Sequence, residues 1–505
     1  MSESARQEFV ERAISLLGQG AVKTAPFDIE PYAIDWRKRY VGRPLAVLFP
    51  GNTDQVAQIV RLANQHRIAL VPQGGNTGLS GGATPDDSGN QAIISLTRLN
   101  AVRAQDAANK TLTVEAGVTL KQVQDIADAM GLLFPLSLGA EGSATIGGNL
   151  STNAGGTGVL RYGNARELCL GLEVVTATGE IWNGLRGLRK DNTGYDLRDL
   201  MIGSEGTLGI ITAAVLKLFP KPAGVMTALV KVSSPQEAFR LLLIAQQRCD
   251  AALTTFEYMS AASTQVVIDH FPQVARHGAQ IIGGMSGHDM TAEGKVAAAS
   301  PRSDCVLMEI SHPESEAAAT QMLESVIESA LQEGVVQDAI VAQSITQTAN
   351  LWHLRETITL AAAEDGAQVK HDIALPLSAL VEFIEQMDRE ILAAFPGVRL
   401  HNFGHFGDGN LHYNIGAPES LATGCAPLER RKIYLDYIEK NEDAIRRLVH
   451  DRVIAMNGSI SAEHGLGQLR RAEAWRYKSA VEHGMMQSIK AALDPAGILN
   501  PGKVL

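Results

Sequence analysis

At 505 residues the chain is too long for one hydrophobic core and is expected to form two or three domains. Hydrophobic residues make up 45% and charged residues 20%, a balance that excludes disordered and fibrous classes. A formal net charge of -11 argues against nucleic acid as a partner, because phosphate binding needs a concentrated basic surface, and favours a small substrate.

Residues 1–40 read as an N-terminal helical segment. MSESARQEFVERAISLLGQG is amphipathic and lacks the cationic flank and apolar core of a signal peptide. No run of roughly 18 apolar residues follows, so no membrane span is expected. The four cysteines, Cys169, Cys249, Cys305 and Cys425, show neither a CxxC pair nor disulfide-scaffold spacing, which fits a reducing cytoplasm.

From about Arg43 to Pro220, strand, helix and glycine loop alternate. AVLFP reads as a strand and TDQVAQIVRLANQH as a helix with Thr53 as N-cap and Val56, Ile59, Val60 and Ala63 on its apolar face. TLTVEAGV is a strand, TLKQVQDIADAMG a helix stopped by Gly131, and LGLEVVTATGEIW a strand bending at Thr178 and Gly179. Between them lie three glycine loops: VPQGGNTGLSGG (Val71–Gly82), GSATIGGNLSTNAGGTGVLRYG (Gly142–Gly163) and GSEGTLGI (Gly203–Ile210). The first offers many unhindered N–H groups to an anion, yet matches neither G-x-G-x-x-G nor a Walker loop, and alone could equally be a structural turn. Three in one domain suggest an extended ligand laid along the backbone.

After FPKPAG the texture changes. MTALVKVSSPQEAFRLLLIAQQ and CVLMEISHPESEAAATQMLESVIESAL each read as a strand, a Ser/His-Pro opening and a long amphipathic helix, two β-α units that predict a ferredoxin-like α+β domain. Further on, NFGHFGDGNLHYNI (Asn402–Ile415) reads as a hairpin with Gly407–Asn410 as a four-residue loop. His405 would then pair with His412 on one face, with Asn414 pointing the same way. Two imidazoles so placed either share a divalent metal or bond to backbone at a domain seam. The final stretch is glycine-punctuated like the first domain.

PQGGNTGLSGG, IGGNLSTNAGG with LRYG, LRKDNTGYDLRDL with IGSEGTLGI, GHFGDGNLH, SAEHGLG and the terminal DPAGILNPGK together resemble the FAD-dependent 2-hydroxyacid dehydrogenases of the vanillyl-alcohol oxidase and p-cresol methylhydroxylase (PCMH) superfamily. The likeness runs from about Tyr40 to the end and is most similar to the D-2-hydroxyglutarate dehydrogenases, with D-lactate dehydrogenases and glycolate oxidase subunits as near relatives. It implies an α+β architecture: a split PCMH-type FAD-binding domain of two α+β subdomains, residues 41–221 and 456–505, with the ferredoxin-like cap domain, residues 222–455, inserted. It assigns the diphosphate to Gly74, Gly75, Asn76, Thr77 and Gly78. Further FAD contacts fall on Pro72, Gly81, Gly82, Leu138, Gly139, Ser143, Thr145, Ile146, Gly148, Asn153, Gly155, Gly156, Tyr162, Gly163, Glu205, Gly209, Ile211 and Asn500. No histidine lies between Val71 and Gly82, so the covalent attachment found in some relatives is not expected and FAD should be dissociable.

The resemblance adds Glu463 of SAEHGLG to His405 and His412 as the third ligand of a catalytic metal. Zn²⁺ is the first choice, with Mn²⁺ and Co²⁺ as alternatives. His464 becomes the candidate general base and a substrate contact, or else a partner that only orients a ligand. Arg355 and Thr359 are four apart on a predicted helix, and the resemblance places RETIT, Lys370 and Asn414 around the substrate carboxylates. A second cation favours D-2-hydroxyglutarate, oxidised to 2-oxoglutarate, over D-lactate, glycolate or D-malate. Without an iron–sulfur cysteine pattern, electrons must leave the flavin to an external acceptor, for which the family suggests electron-transfer flavoprotein or a quinone. A homodimer is the simplest assembly, and no motif decides it. Two readings of other classes stay open: a metal-dependent hydrolase or isomerase whose loops bind an ordinary nucleotide, and a non-catalytic flavoprotein subunit.

Overall fold

The computed structural model describes residues 3–283 and 303–505, so residues 1–2 of the N-terminal segment and 284–302 of the expected cap domain lie outside the described residues. Two compact units result. One comprises Met1–Gly156, Tyr162–Lys221 and Glu463–Leu505, and the other Thr157–Arg161 and Pro222–Ala462. The return to the first unit thus comes at Glu463 rather than 456. The reason is hydrogen bonding: Ser459 and Ala374 exchange backbone bonds of 2.7 and 3.0 Å, and the Ala462 N–H donates to the Asp372 carbonyl at 3.1 Å.

In the first unit the helix Thr53–His66 buries Val56, Ile59, Val60 and Ala63 as its periodicity predicts. Its N-cap is Asn52, however, whose side chain accepts from the Gln55 N–H at 2.9 Å. Thr53 lies one residue inside, and its hydroxyl is drawn to Glu173 Oε1 at 2.6 Å. Two sheets form. The smaller has strand order Val22–Lys23, Val47–Leu48, Gln91–Ser95, Ala69–Gln73, the last three mutually parallel. The larger is antiparallel, in the order Val102–Asp106, Thr111–Glu115, Ile210–Lys217, Cys169–Val175, Ile181–Gly184. The C-terminal segment joins the smaller sheet through a parallel bridge between Leu70 and Leu499.

The second unit is built on one sheet with strand order Val336–Val341, Gly224–Val232, Asp304–His312, Leu253–Met259, Arg399–His405, Asn410–Gly416, Gln368–Val369, and with Asp372–Ala374 also paired to Asn410–Gly416. Its first four strands, taken in chain order, lie as fourth, first, third, second and are antiparallel throughout, the ferredoxin-like arrangement. The crossover helices are Pro235–Cys249, capped by Ser234, and Glu316–Gln332, capped by Ser315 rather than at the His-Pro pair upstream. Leu351, Leu354 and Ile358 of the helix Ile345–Asp365 pack with Met259, Leu307 and Phe403 on one face of the sheet. Tyr413, one residue out of phase, turns to the other face and donates to Asp388 of the helix Leu377–Ala394 at 2.6 Å. Burial of such side chains at ~1.5–3 kcal/mol each fixes which residues of each strand face which helix layer.

Candidate active site: a dinucleotide cleft and a histidine-bearing sheet face

The first unit contains a cleft lined by parts of all three glycine loops and by His464. The loops interlock before they bind anything: a Cβ on Gly75 would lie 1.8 Å from the Ser143 carbonyl oxygen, so that position must be glycine for the first loop to nest against the second. Around Gly78, by contrast, a Cβ would meet nothing within 4 Å, which leaves the backbone open to a ligand. Gln73 Oε1, Thr145 Oγ1 and Asn149 Nδ2 are buried without a hydrogen-bond partner in the protein. Three orphaned polar atoms around a deep cleft fit a ligand carrying its own donors and acceptors, as FAD does.

Pro72, Gly74, Gly75, Asn76, Thr77, Gly78, Gly82, Thr145, Gly148, Glu205, Gly209 and Ile211 line this cleft. Gly81, Leu138, Gly139, Ser143, Ile146, Asn153, Gly155, Gly156, Tyr162, Gly163 and Asn500 do not, and several of them shape its walls instead. Asn153 Oδ1 accepts from the Arg166 N–H at 3.0 Å, and Asn500 Nδ2 bonds to the carbonyls of Gly82 at 3.0 Å and Glu205 at 2.7 Å. Glu205, in the left-handed region at φ 51°, holds the return segment: its carboxylate accepts from the Leu466 and Gly467 N–H groups at 2.7 and 2.9 Å. Burial raises its carboxyl above the ordinary range against the pull of those two donors. Gln73 and Asn149 are cleft residues that the sequence reading did not name.

In the second unit the hairpin closes one residue earlier than its spacing predicts. Phe403, not His405, is the cross-strand partner of His412, and His401 pairs with Asn414. The turn therefore spans 406–409, with the Asn410 N–H bonded to Asp408 Oδ1 at 3.1 Å and Gly409 at φ 84°. A Cβ on Gly409 would meet the Leu375 carbonyl oxygen at 2.2 Å, and this neighbour helps fix the turn. His405 and His412 still share a face, because a diagonal pair in an antiparallel ladder keeps the same parity. Their ring centroids are 5.8 Å apart at 74°.

A carboxylate stands beside the Nδ1 of each ring. Glu257 Oε1 lies 2.5 Å from His405 Nδ1, and Asp372 Oδ1 lies 4.0 Å from His412 Nδ1. Glu257, at hydrogen-bond distance, orients His405 so that Nε2 is its ligating nitrogen, while Asp372 faces His412 only at ion-pair range; the donor set fits a divalent metal. Val369 pairs with Ile415 and Asp372 with His412, so Lys370 comes level with Asn414 on this same face. Arg355 is 7% exposed and reaches Glu257 Oε2 through Nε at 2.9 Å and Nη2 at 2.8 Å, with its guanidinium 4.8 Å from the centre of the Phe403 ring. Thr359, one turn further on, is exposed. Glu463 opens the return segment, one peptide bond after Ala462. Sequence reading missed Glu257 and Asp372. Asp372 carried a signal, two residues beyond Lys370 in a strand; a lone acid in LTTFEYM did not.

Residues 44–184 match the model of an FAD binding domain, and residues 221–504 match that of the FAD linked oxidases, C-terminal domain. A D-2-hydroxyglutarate dehydrogenase of Xanthomonas citri pv. viticola is 37% identical over 96% of this chain and 94% of its own. A mitochondrial D-2-hydroxyglutarate dehydrogenase of Arabidopsis thaliana is 36% identical over 97% of this chain and 80% of its own. In fold, the chain is similar to p-cresol methylhydroxylase with substrate bound, with a TM-score of 0.73 at 15% identity, covering 100% of this chain and 97% of that one. With both halves matched to its models, and relatives this similar along almost the whole length, the chain belongs to the FAD-linked oxidases of PCMH-type α+β fold.

Proposed function

We propose that the protein is an FAD- and metal-dependent dehydrogenase that oxidises D-2-hydroxyglutarate to 2-oxoglutarate and passes the electrons to an external acceptor, an electron-transfer flavoprotein or a quinone. The observation that carries the substrate assignment is that Lys370 and Asn414 sit level with one another on the sheet face that bears the His405 and His412 pair, with Arg355 tied to the same face through Glu257. Lys370 and the guanidinium edge of Arg355 that Glu257 does not take can each donate to a carboxylate, which suits a substrate with two of them.

FAD in the cleft would accept the C2 hydride, and a divalent metal on His405, His412 and Glu463, Zn²⁺ before Mn²⁺ or Co²⁺, would lower the pKa of the 2-hydroxyl. The chain's own residues do the rest. Arg355 and Lys370 each meet a carboxylate, and Asn414 and Thr359 offer neutral hydrogen bonds that fix the substrate's rotation. His464 receives the hydroxyl proton at a ring nitrogen. Glu463 and His464 are consecutive in the chain, and His464 lines the cleft, so the third ligand and the base are sequence neighbours. FAD is held without a covalent link, since Asn76 and its neighbours offer no histidine to the cofactor.

The test is a comparison of kcat/KM for D-2-hydroxyglutarate, D-malate and D-lactate, using the purified yellow protein and an artificial acceptor. A preference for D-lactate, or a flat profile, would remove the dicarboxylate assignment. A colourless protein that gains nothing from added FAD would remove the flavin chemistry altogether.

A further inference from the structure

Glu257 is a charged residue at the centre of an apolar strand. It is 1% exposed, between Phe256 and Tyr258 at 1% each, in a strand paired on both sides. A buried carboxylate is strongly unfavourable unless charge and hydrogen bonds compensate it. Here compensation comes from two directions, one for each oxygen. Oε1 takes the Nδ1 side of His405, its cross-strand partner, at 2.5 Å. Oε2 accepts a hydrogen bond from Nε of Arg355 at 2.9 Å and forms an ion pair with its Nη2 at 2.8 Å.

We propose that Glu257 is a positioning residue that sets two functional side chains through one carboxylate, the metal-ligand orientation of His405 and the pose of Arg355. This rests on the function proposed above, in which His405 ligates the metal and Arg355 meets a substrate carboxylate. Three physical consequences follow. An Nδ1–H donated to Oε1 leaves the ligating lone pair on Nε2 and makes the imidazole a stronger donor. The grip of Oε2 on Nε and Nη2, with the Phe403 ring 4.8 Å away, fixes the guanidinium plane, so that its Nη1 edge meets the substrate. Finally, the anion offsets the Arg355 charge, which would otherwise repel a divalent cation at His405.

Glu257→Gln is nearly isosteric, but its amide can accept on one side only and presents an N–H to a donor on the other. FAD-loaded, full-length protein stripped of metal would be titrated with Zn²⁺ against a chromogenic chelator, without substrate, and kcat and KM measured separately after reloading. E257Q is expected to bind Zn²⁺ ~10- to 100-fold more weakly and to show a raised KM. Glu257→Asp, which keeps the charge but not the reach, should fall between E257Q and wild type, and it decides the question if E257Q does not fold. A lowered melting temperature with unchanged zinc affinity in the folded protein would mean a structural role only and would overturn the inference. Wild type that neither binds Zn²⁺ nor oxidises a 2-hydroxyacid removes the functional reading and this inference with it. Wild type that does both, beside variants of unchanged zinc affinity and KM, overturns the inference alone.

Discussion

His405 and His412 meet on the diagonal of their strand pair, ring centroids 5.8 Å apart, while Phe403 takes the position directly across from His412. A diagonal pair sets the two residues' Cβ atoms further apart than a direct one and leaves room for an ion between the ring edges. His405→Ala and His412→Ala are therefore expected to lose metal and at least ~100-fold in kcat/KM, the scale of a Lewis acid's contribution of several kcal/mol. Neither residue is among those lining the flavin cleft, so each variant is expected to retain its FAD, read as flavin per chain. Parallel loss of FAD and metal would contradict this separation of roles.

The one-residue shift in that hairpin marks where the sequence stops being legible. Period-two alternation revealed that the two histidines share a face, and parity survives a diagonal offset, but nothing local decided between a turn at 406–409 and one at 407–410. The same holds for Thr53, as good a cap as Asn52 by residue type; the choice is made by Glu173, distant in the chain, which takes the Thr53 hydroxyl. Helices with clear caps and apolar stripes, and the β-α repeats behind the ferredoxin-like strand order, were readable because their signals lie within ~20 residues. Glu257 was not. Its partners His405 and Arg355 are 148 and 98 positions away, and only strand pairing and the packing of the Ile345–Asp365 helix on the sheet bring them together.

Lys370 tests the dicarboxylate assignment. It lies level with Asn414 on the histidine-bearing face, and methionine would keep most of its stem while removing the charge. Lys370→Met should lower kcat/KM for D-2-hydroxyglutarate ~10- to 100-fold, the worth of one charge-assisted hydrogen bond, and change that for D-lactate by less than ~3-fold. Equal losses on both substrates would show that the lysine does not read the second carboxylate.

Glu205 connects the third glycine loop to the return segment through the Leu466 and Gly467 N–H groups. In Glu205→Gln the amide oxygen can accept only one of them and the other donor is left buried, at a cost of ~1–3 kcal/mol. Because both donors follow His464 closely in the chain, the cleft wall should loosen. FAD is expected to dissociate ~5- to 100-fold more readily, read as flavin lost on gel filtration. Full retention would mean that the wall is held by other contacts, such as the Asn500 bonds to Gly82 and Glu205.

Lys503 gives the first unit a pH dependence of its own. It is 3% exposed, and burial lowers its ammonium from the ordinary 10.5 to about 8, against the opposing attraction of Asp86 and Glu205. A base depressed in the folded state binds fewer protons there than in the unfolded chain between the two pKa values. The unfolding free energy contributed by this residue should thus rise as pH increases from about 8 toward 10.5. Below that window both states are charged and the whole cost of burying the ammonium is present, ~3 kcal/mol at most. Lys503→Met, which keeps the stem's volume, should be more stable than wild type at pH 7, with the difference shrinking as pH approaches 10. Chemical denaturation of both proteins across this range gives the comparison. Two parallel profiles would mean that Lys503 keeps its proton in the folded state throughout, and that its buried charge is matched by its acidic neighbours.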